Sequence, residues 1–142
     1  MKPTLLPYPF LFVVLLASSC LAQKVPVIMQ APISTNADEI ALRFRKSLGD
    51  EITLSGRFYF WTGKNDDLPP NGVRIRLSSI QVKLQNGDGL GSAIYVEAER
   101  LSSRDPGYCK VVSQQLLMIP KDFSVADDTR AFLAEVERVL EK

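Results

Sequence analysis

The chain is expected to fold as a two-layer α+β sandwich, in which a mainly antiparallel sheet of four to five strands carries two helices on one face, in the order β-α-β-β-β-β-α. Three observations predict it. Apolar residues alternate with period two through residues 52–61, 73–84 and 92–101, as in strands with one buried face, and residues 108–119 read as a further strand. Segments 37–48 and 124–140 instead carry apolar residues at helical spacing. The strand segments follow one another through turn-rich connections, which makes successive strands antiparallel neighbours and leaves both helices free to lie on one side.

The amino terminus, MKPTLLPYPFLFVVLLASSCLAQ, places Lys2 ahead of a short apolar run at 10–16 and a small-residue stretch, the layout of an export signal. The run is too short to span a bilayer, which takes about 20 residues. Two processing routes are open. Cys20, Leu21 and Ala22 form a small-x-small site that would end a signal peptide at residue 22 and release a soluble protein. Alternatively, Leu16-Ala17-Ser18-Ser19-Cys20 resembles a lipobox, which would end the signal at residue 19 and lipidate Cys20. Either way the protein is expected outside the cytoplasm, periplasmic or extracellular, and in the second case tethered to a membrane by its lipid. Residues 23–142 form a single domain.

Each element has its own signature. Residues 24–32, KVPVIMQAP, read as a short strand closed by Pro32. Thr35 with Asp38, or Asn36 with Glu39, offers a capping box for the first helix. Ala37, Ile40, Ala41, Phe44 and Leu48 then stripe one face, with Arg43, Arg45 and Lys46 mostly outward, until Gly49 closes the helix. In ITLSGRFYFW, Ile52, Leu54, Phe58 and Phe60 oppose Arg57, Tyr59 and Trp61. TGKNDDLPPN is expected to be a long hairpin loop, and GVRIRLSSIQVKL the returning strand, with Val73, Ile75 and Leu77 opposed to Arg74 and Arg76. Asn86-Gly87 or Asp88-Gly89 suits a tight turn into the strand at 92–101, and SSRDPG leads to the strand at 108–119, which Pro120 closes. Ser124 and Asp127 form a second capping box before a helix striped by Phe132, Leu133, Val136, Val139 and Leu140.

Composition excludes much chemistry. With 17 basic and 16 acidic side chains the net charge is +1, so no overall field steers the protein to nucleic acid. Histidine is absent, which removes the usual neutral-pH base, the imidazole-activated nucleophiles and the commonest metal ligand. Cys109 keeps no partner in the exported chain, leaving a buried inert thiol or an intermolecular disulfide. Asp66-Asp67 and Asp127-Asp128 read as a solvated turn and a helix first turn. No catalytic motif, metal set or cofactor loop stands out.

Two constellations remain. Glu97 and Glu99 face one way and could serve a small carboxylate-dependent hydrolase, but Arg74 and Arg76 have the same spacing and suit a cross-strand charge ladder with them. Arg57, Tyr59, Trp61, Arg74 and Arg76 are expected to share one sheet face, a mix of rings and guanidinium groups that either covers the sheet or contacts an envelope protein or glycan rather than nucleic acid.

The order also resembles small bacterial envelope domains, namely the amino-terminal domain of the Tol-system propeller protein and the periplasmic domain of curli-secretion-type lipoproteins. KVPVIMQAP, ADEIALRFRKSL, GDEITLSGRFYF and TRAFLAEVERVL carry that resemblance. It implies a non-enzymatic binding or assembly module of the cell envelope and assigns no site residue.

Overall fold

The structure is a computed structural model, and it describes residues 23–30, 38–105 and 108–142. The elements run β1 (Val25–Met29), α1 (Glu39–Leu54), β2 (Phe58–Phe60), a 3-10 turn at Asn65–Asp67, β3 (Val73–Lys83), β4 (Gly89–Leu101), β5 (Cys109–Pro120) and α2 (Ala126–Leu140). This is the expected α+β order. The export signal at 1–22, with Cys20, lies outside the described residues, as do Thr35 and Asn36.

Helix α1 passes through Gly49 and ends at Leu54, five residues beyond the expected stop. Ile40, Phe44, Leu48 and Ile52 form one i+4 stripe, and all four are buried. Burying Ile52 contributes about 2 kcal/mol, against about 1 kcal/mol for a glycine inside a helix. The stripe therefore carries the helix past Gly49, and Ile52 and Leu54 belong to α1 rather than to a strand. Asp38 is the N-cap: its Oδ1 accepts from the N–H groups of Ile40 at 3.0 Å and Ala41 at 3.2 Å, and from the Ser92 hydroxyl at 2.7 Å. The cap thus also ties the helix start to β4. At α2 the expected capping box is reduced to Ser124 Oγ accepting the Ala126 N–H at 3.3 Å, with no bond from Asp127.

The strand order across the sheet is β2-β1-β3-β4-β5. β3, β4 and β5 form the expected antiparallel meander. β2 and β3, however, are not hairpin partners. β1 lies between them and runs parallel to both, with Val27 opposite Phe60 on one side and Val73 on the other. Residues 61–72 are accordingly a crossover past β1 instead of a hairpin loop. Leu68 is buried there, apart from the main core cluster, and Pro69 and Pro70 line the same cleft as Pro26 and Tyr59. The physical reason is the composition of VPVIM: a strand this apolar gains most when both faces and both edges are covered. Pro26 is tolerated because β1 begins to pair with β3 only at Val27.

Both helices pack on one face of the sheet and on each other. Phe44, Leu48 and Ile52 from α1, Phe58 from β2, Ile75, Ile94 and Val96 from the sheet, and Phe132 and Val136 from α2 form one continuous core. Polar side chains pin the helices together along its rim: Ser47 Oγ lies 2.9 Å from Thr129 Oγ1, Ser55 donates to Glu137 at 3.1 Å, and Arg130 reaches Glu51 at 3.4 Å.

Candidate functional site: the helix-free sheet face

Alternation fixes what the other face of the sheet displays. Because Val73, Ile75 and Leu77 point to the helices, Arg74, Arg76, Ser78 and Ile80 point away from them. Register then builds the face rung by rung. Arg74 sits opposite Glu99, Arg76 opposite Glu97, Ser78 opposite Tyr95 and Ile80 opposite Ala93. On the far side of β4, Glu97 meets Gln114, Tyr95 meets Leu116 and Ala93 meets Met118.

One end of this face is charged and closed on itself, as the ladder expectation required. Arg76 Nη2 lies 3.1 Å from Glu99 Oε2, Arg76 Nη1 lies 3.9 Å from Glu97, and Arg74 Nη1 lies 3.9 Å from Glu99. Arg74 and Glu99 keep only 16% and 12% of their side chains exposed. Glu99 Oε2 and Arg74 Nε are both buried without a hydrogen-bond partner, so this pairing is held mainly by charge rather than by aligned hydrogen bonds. Arg74 Nη1 also approaches Cys109 Sγ at 4.0 Å, and Arg76 Nε donates to Gln30 at 3.2 Å. Cys109 is a half-buried free thiol.

The other end is apolar and bare. Ile80 is 73% exposed, Leu116 70% and Met118 65%, on adjacent rungs, and Tyr95 borders them. Tyr95 marks the boundary, because its hydroxyl donates to Glu97 Oε2 at 2.7 Å. That hydrogen bond, burial and the neighbouring Glu97 and Glu99 charges together raise its pKa above the usual tyrosine value.

The five residues expected to share this face are therefore divided. Arg74 and Arg76 stand on it within the ladder. Tyr59 also points away from the helices, but β1 intervenes between its strand and β3, so it does not adjoin the arginines. Arg57 pairs with Glu141 at the end of α2, at 3.0 Å. Trp61 lies beyond β2 in a cleft beside α1. The apolar end was missed in the sequence, although a signal was there: Leu116, Leu117, Met118 and Ile119 are apolar in both phases of β5, and only one phase can face the helices.

Among the described residues no group of three or more metal-ligating side chains converges, and no helix is long and apolar enough to cross a membrane. The site and fold define a small sheet domain with one helix-covered face and one uncovered face. No protein-family model and no curated protein matches the chain. Its fold is similar to a solved structure, that of the hypothetical protein CT253 from Chlamydia trachomatis. The TM-score is 0.50 at 11% sequence identity, covering 82% of this chain and 98% of that one. The likeness is one of fold.

Proposed function

We propose that the protein is an exported bacterial binding or assembly module of the cell envelope, without enzymatic activity, whose contact surface is the helix-free sheet face. The observation that carries this reading is the cluster of Ile80, Leu116 and Met118 on adjacent rungs. Singly exposed apolar side chains are ordinary, but a contiguous patch rimmed by polar groups is typical of a contact site. Arg76, Tyr95 and Gln114 supply such a rim. The partner that suits the patch is an envelope protein rather than a glycan, since the uncovered end offers few hydrogen-bonding groups.

Two further features support the reading. The amino-terminal sequence has an export-signal layout, and the element order resembles small envelope modules. Glu97 and Glu99, the carboxylates a hydrolase would use, are both engaged by guanidinium groups, which favours a structural role for them.

The reading is tested in two stages. Intact mass of the exported protein is expected to show a start at Gln23 or an acylated Cys20. Photo-crosslinking from a label at position 114 in envelope preparations is then expected to give discrete adducts that weaken in Ile80→Thr/Leu116→Thr and persist in Glu97→Gln. Adducts indifferent to the double substitution, or a hydrolytic activity lost in Glu97→Gln, would overturn it.

A further inference from the structure

A second site, independent of the sheet face, lies where α1 passes the ends of β1 and β2. There Ile28, Met29, Leu42, Gly49, Phe60 and Trp61 line an open cleft of about 440 Å³ together with Arg45 and Lys46. That volume falls within the range usual for small-ligand sites, roughly 300–1,000 Å³.

Its chemistry is one-sided. Two cations line the cleft and no acidic side chain does. Among the described residues neither Arg45 nor Lys46 comes within ion-pair distance of a carboxylate, whereas Arg57, Arg74, Arg76, Arg130 and Arg138 all do. The segments outside the described residues contain no Asp or Glu that could neutralise them. Arg45 is only half-exposed. The remaining lining is apolar or aromatic. Trp61 Nε1 is buried with no hydrogen-bond acceptor among the described residues, although a buried indole N–H usually finds one. The ring lies close against Gly63, where a Cβ would come within 2.7 Å of Cε2.

The geometry points to this cleft as a binding site for a small amphipathic anion, a monomeric molecule with a carboxylate or similar acidic head and an apolar chain or ring. Arg45 and Lys46 hold the head by charge-assisted hydrogen bonds. Leu42, Met29, Phe60 and the Trp61 ring cover the apolar part. A cation would meet two like charges, and a neutral amphiphile would leave both unpaired.

Trp61 is the single tryptophan of the chain, so its fluorescence reports on this cleft alone. The purified protein is titrated with sodium dodecanoate below its micelle concentration, with dodecanol and dodecyltrimethylammonium as the neutral and cationic counterparts. Dodecanoate is expected to shift the emission saturably. Dodecanol and the Arg45→Ala/Lys46→Ala variant are each expected to bind about tenfold more weakly. Lys83→Ala, which removes a charge at the far end of β3, is expected to bind like the wild type. Thermal melting establishes that the double variant is folded, since both side chains are on the solvent side of α1. No saturable change, an equal response to the cation, or undiminished binding by the double variant would overturn the site. Because Ile80 and Leu116 play no part in it, failure here leaves the sheet-face reading standing, and the reverse holds as well.

Discussion

The two ends of the helix-free face are built from the same three strands and meet the same solvent, yet they solve the problem of exposure differently. At the charged end, four long side chains on adjacent positions of β3 and β4 lie over the sheet and neutralise one another. At the apolar end, Ile80, Leu116 and Met118 have no such neighbours among the described residues and remain exposed. A strand face can be covered by its own side chains, and here that cover stops at Tyr95. The difference separates a region that maintains the fold from one that the fold does not need, and each substitution below bears on that division.

The largest effect is expected from Glu99→Ala. It leaves Arg74, buried over most of its side chain, without its counter-charge. Orphaning one member of a buried pair costs about 3–5 kcal/mol, and some residual exposure reduces this to roughly 2–3 kcal/mol here. Urea denaturation checks it. The double substitution Arg74→Met/Glu99→Leu is expected to recover more than half of the loss, because it removes both charges while keeping the stems. A cost below about 0.5 kcal/mol for Glu99→Ala would place the ladder among ordinary surface pairs and dissolve the contrast.

Gly91→Ala probes the opposite end and is expected to cost about 2 kcal/mol by overpacking. A Cβ there would strike the Ile119 carbonyl oxygen and approach Pro120 Cα to 2.9 Å, both of them backbone atoms that cannot swing aside. β4 and β5 must separate beneath the apolar patch. The measurement is again the urea midpoint, with amide exchange expected to rise in residues 116–119 and not in 109–113.

How much of this was legible beforehand depends on range. The ladder could be read because Arg74, Arg76, Glu97 and Glu99 sit on sequence-adjacent strands, where spacing alone sets which side chains face each other. The insertion of β1 could not be read. A parallel pairing between Val27 and both Phe60 and Val73 joins segments that no local turn connects, and the turn formers of residues 62–72 mimic a hairpin. Placing β1 between β2 and β3 in turn separated Tyr59 from Arg74 and Arg76, which were expected to share a cluster with Arg57 and Trp61. Ile52 was ambiguous for another reason: it continues the i+4 stripe from Phe44 and Leu48, and it also starts a period-two run with Leu54. Burial decided between the two, and Gly49 was too weak a breaker to matter. Arg45 and Lys46 read simply as outward helix charges, and only the tertiary position of Trp61 beside them makes a cleft.

At the boundary between the two ends, Tyr95→Phe is expected to act through pH. The Tyr95 hydroxyl donates to Glu97, and this bond together with burial and nearby negative charge raises its folded pKa above the ordinary value. A raised folded pKa stabilises the native state below the unfolded value of about 10, and that contribution disappears as pH climbs through the folded value. The wild type should therefore lose stability in this alkaline window more steeply than Tyr95→Phe. The difference in phenolate absorbance between the two proteins should give a midpoint above 10. Equal pH slopes would show that Tyr95 is free in solution and the ladder ends one rung earlier.

The smallest effect on stability is expected from Ile80→Thr/Leu116→Thr. Threonine has the β-branched shape that a strand accepts, keeping it at position 80 and introducing it at 116, and neither Ile80 nor Leu116 removes appreciable area from water in the folded state. Substitutions at such positions usually stay within about 0.5 kcal/mol each, so the urea midpoint should barely move. Retention on a hydrophobic-interaction column should nevertheless fall clearly, because the two methyl-rich side chains dominate the bare end of the face. A loss above about 2 kcal/mol would mean that Ile80 and Leu116 do structural work and that the apolar end, like the charged end, belongs to the fold. Unchanged stability with reduced retention is what a surface kept apolar for a partner requires, since nothing inside the molecule then accounts for leaving those side chains in water.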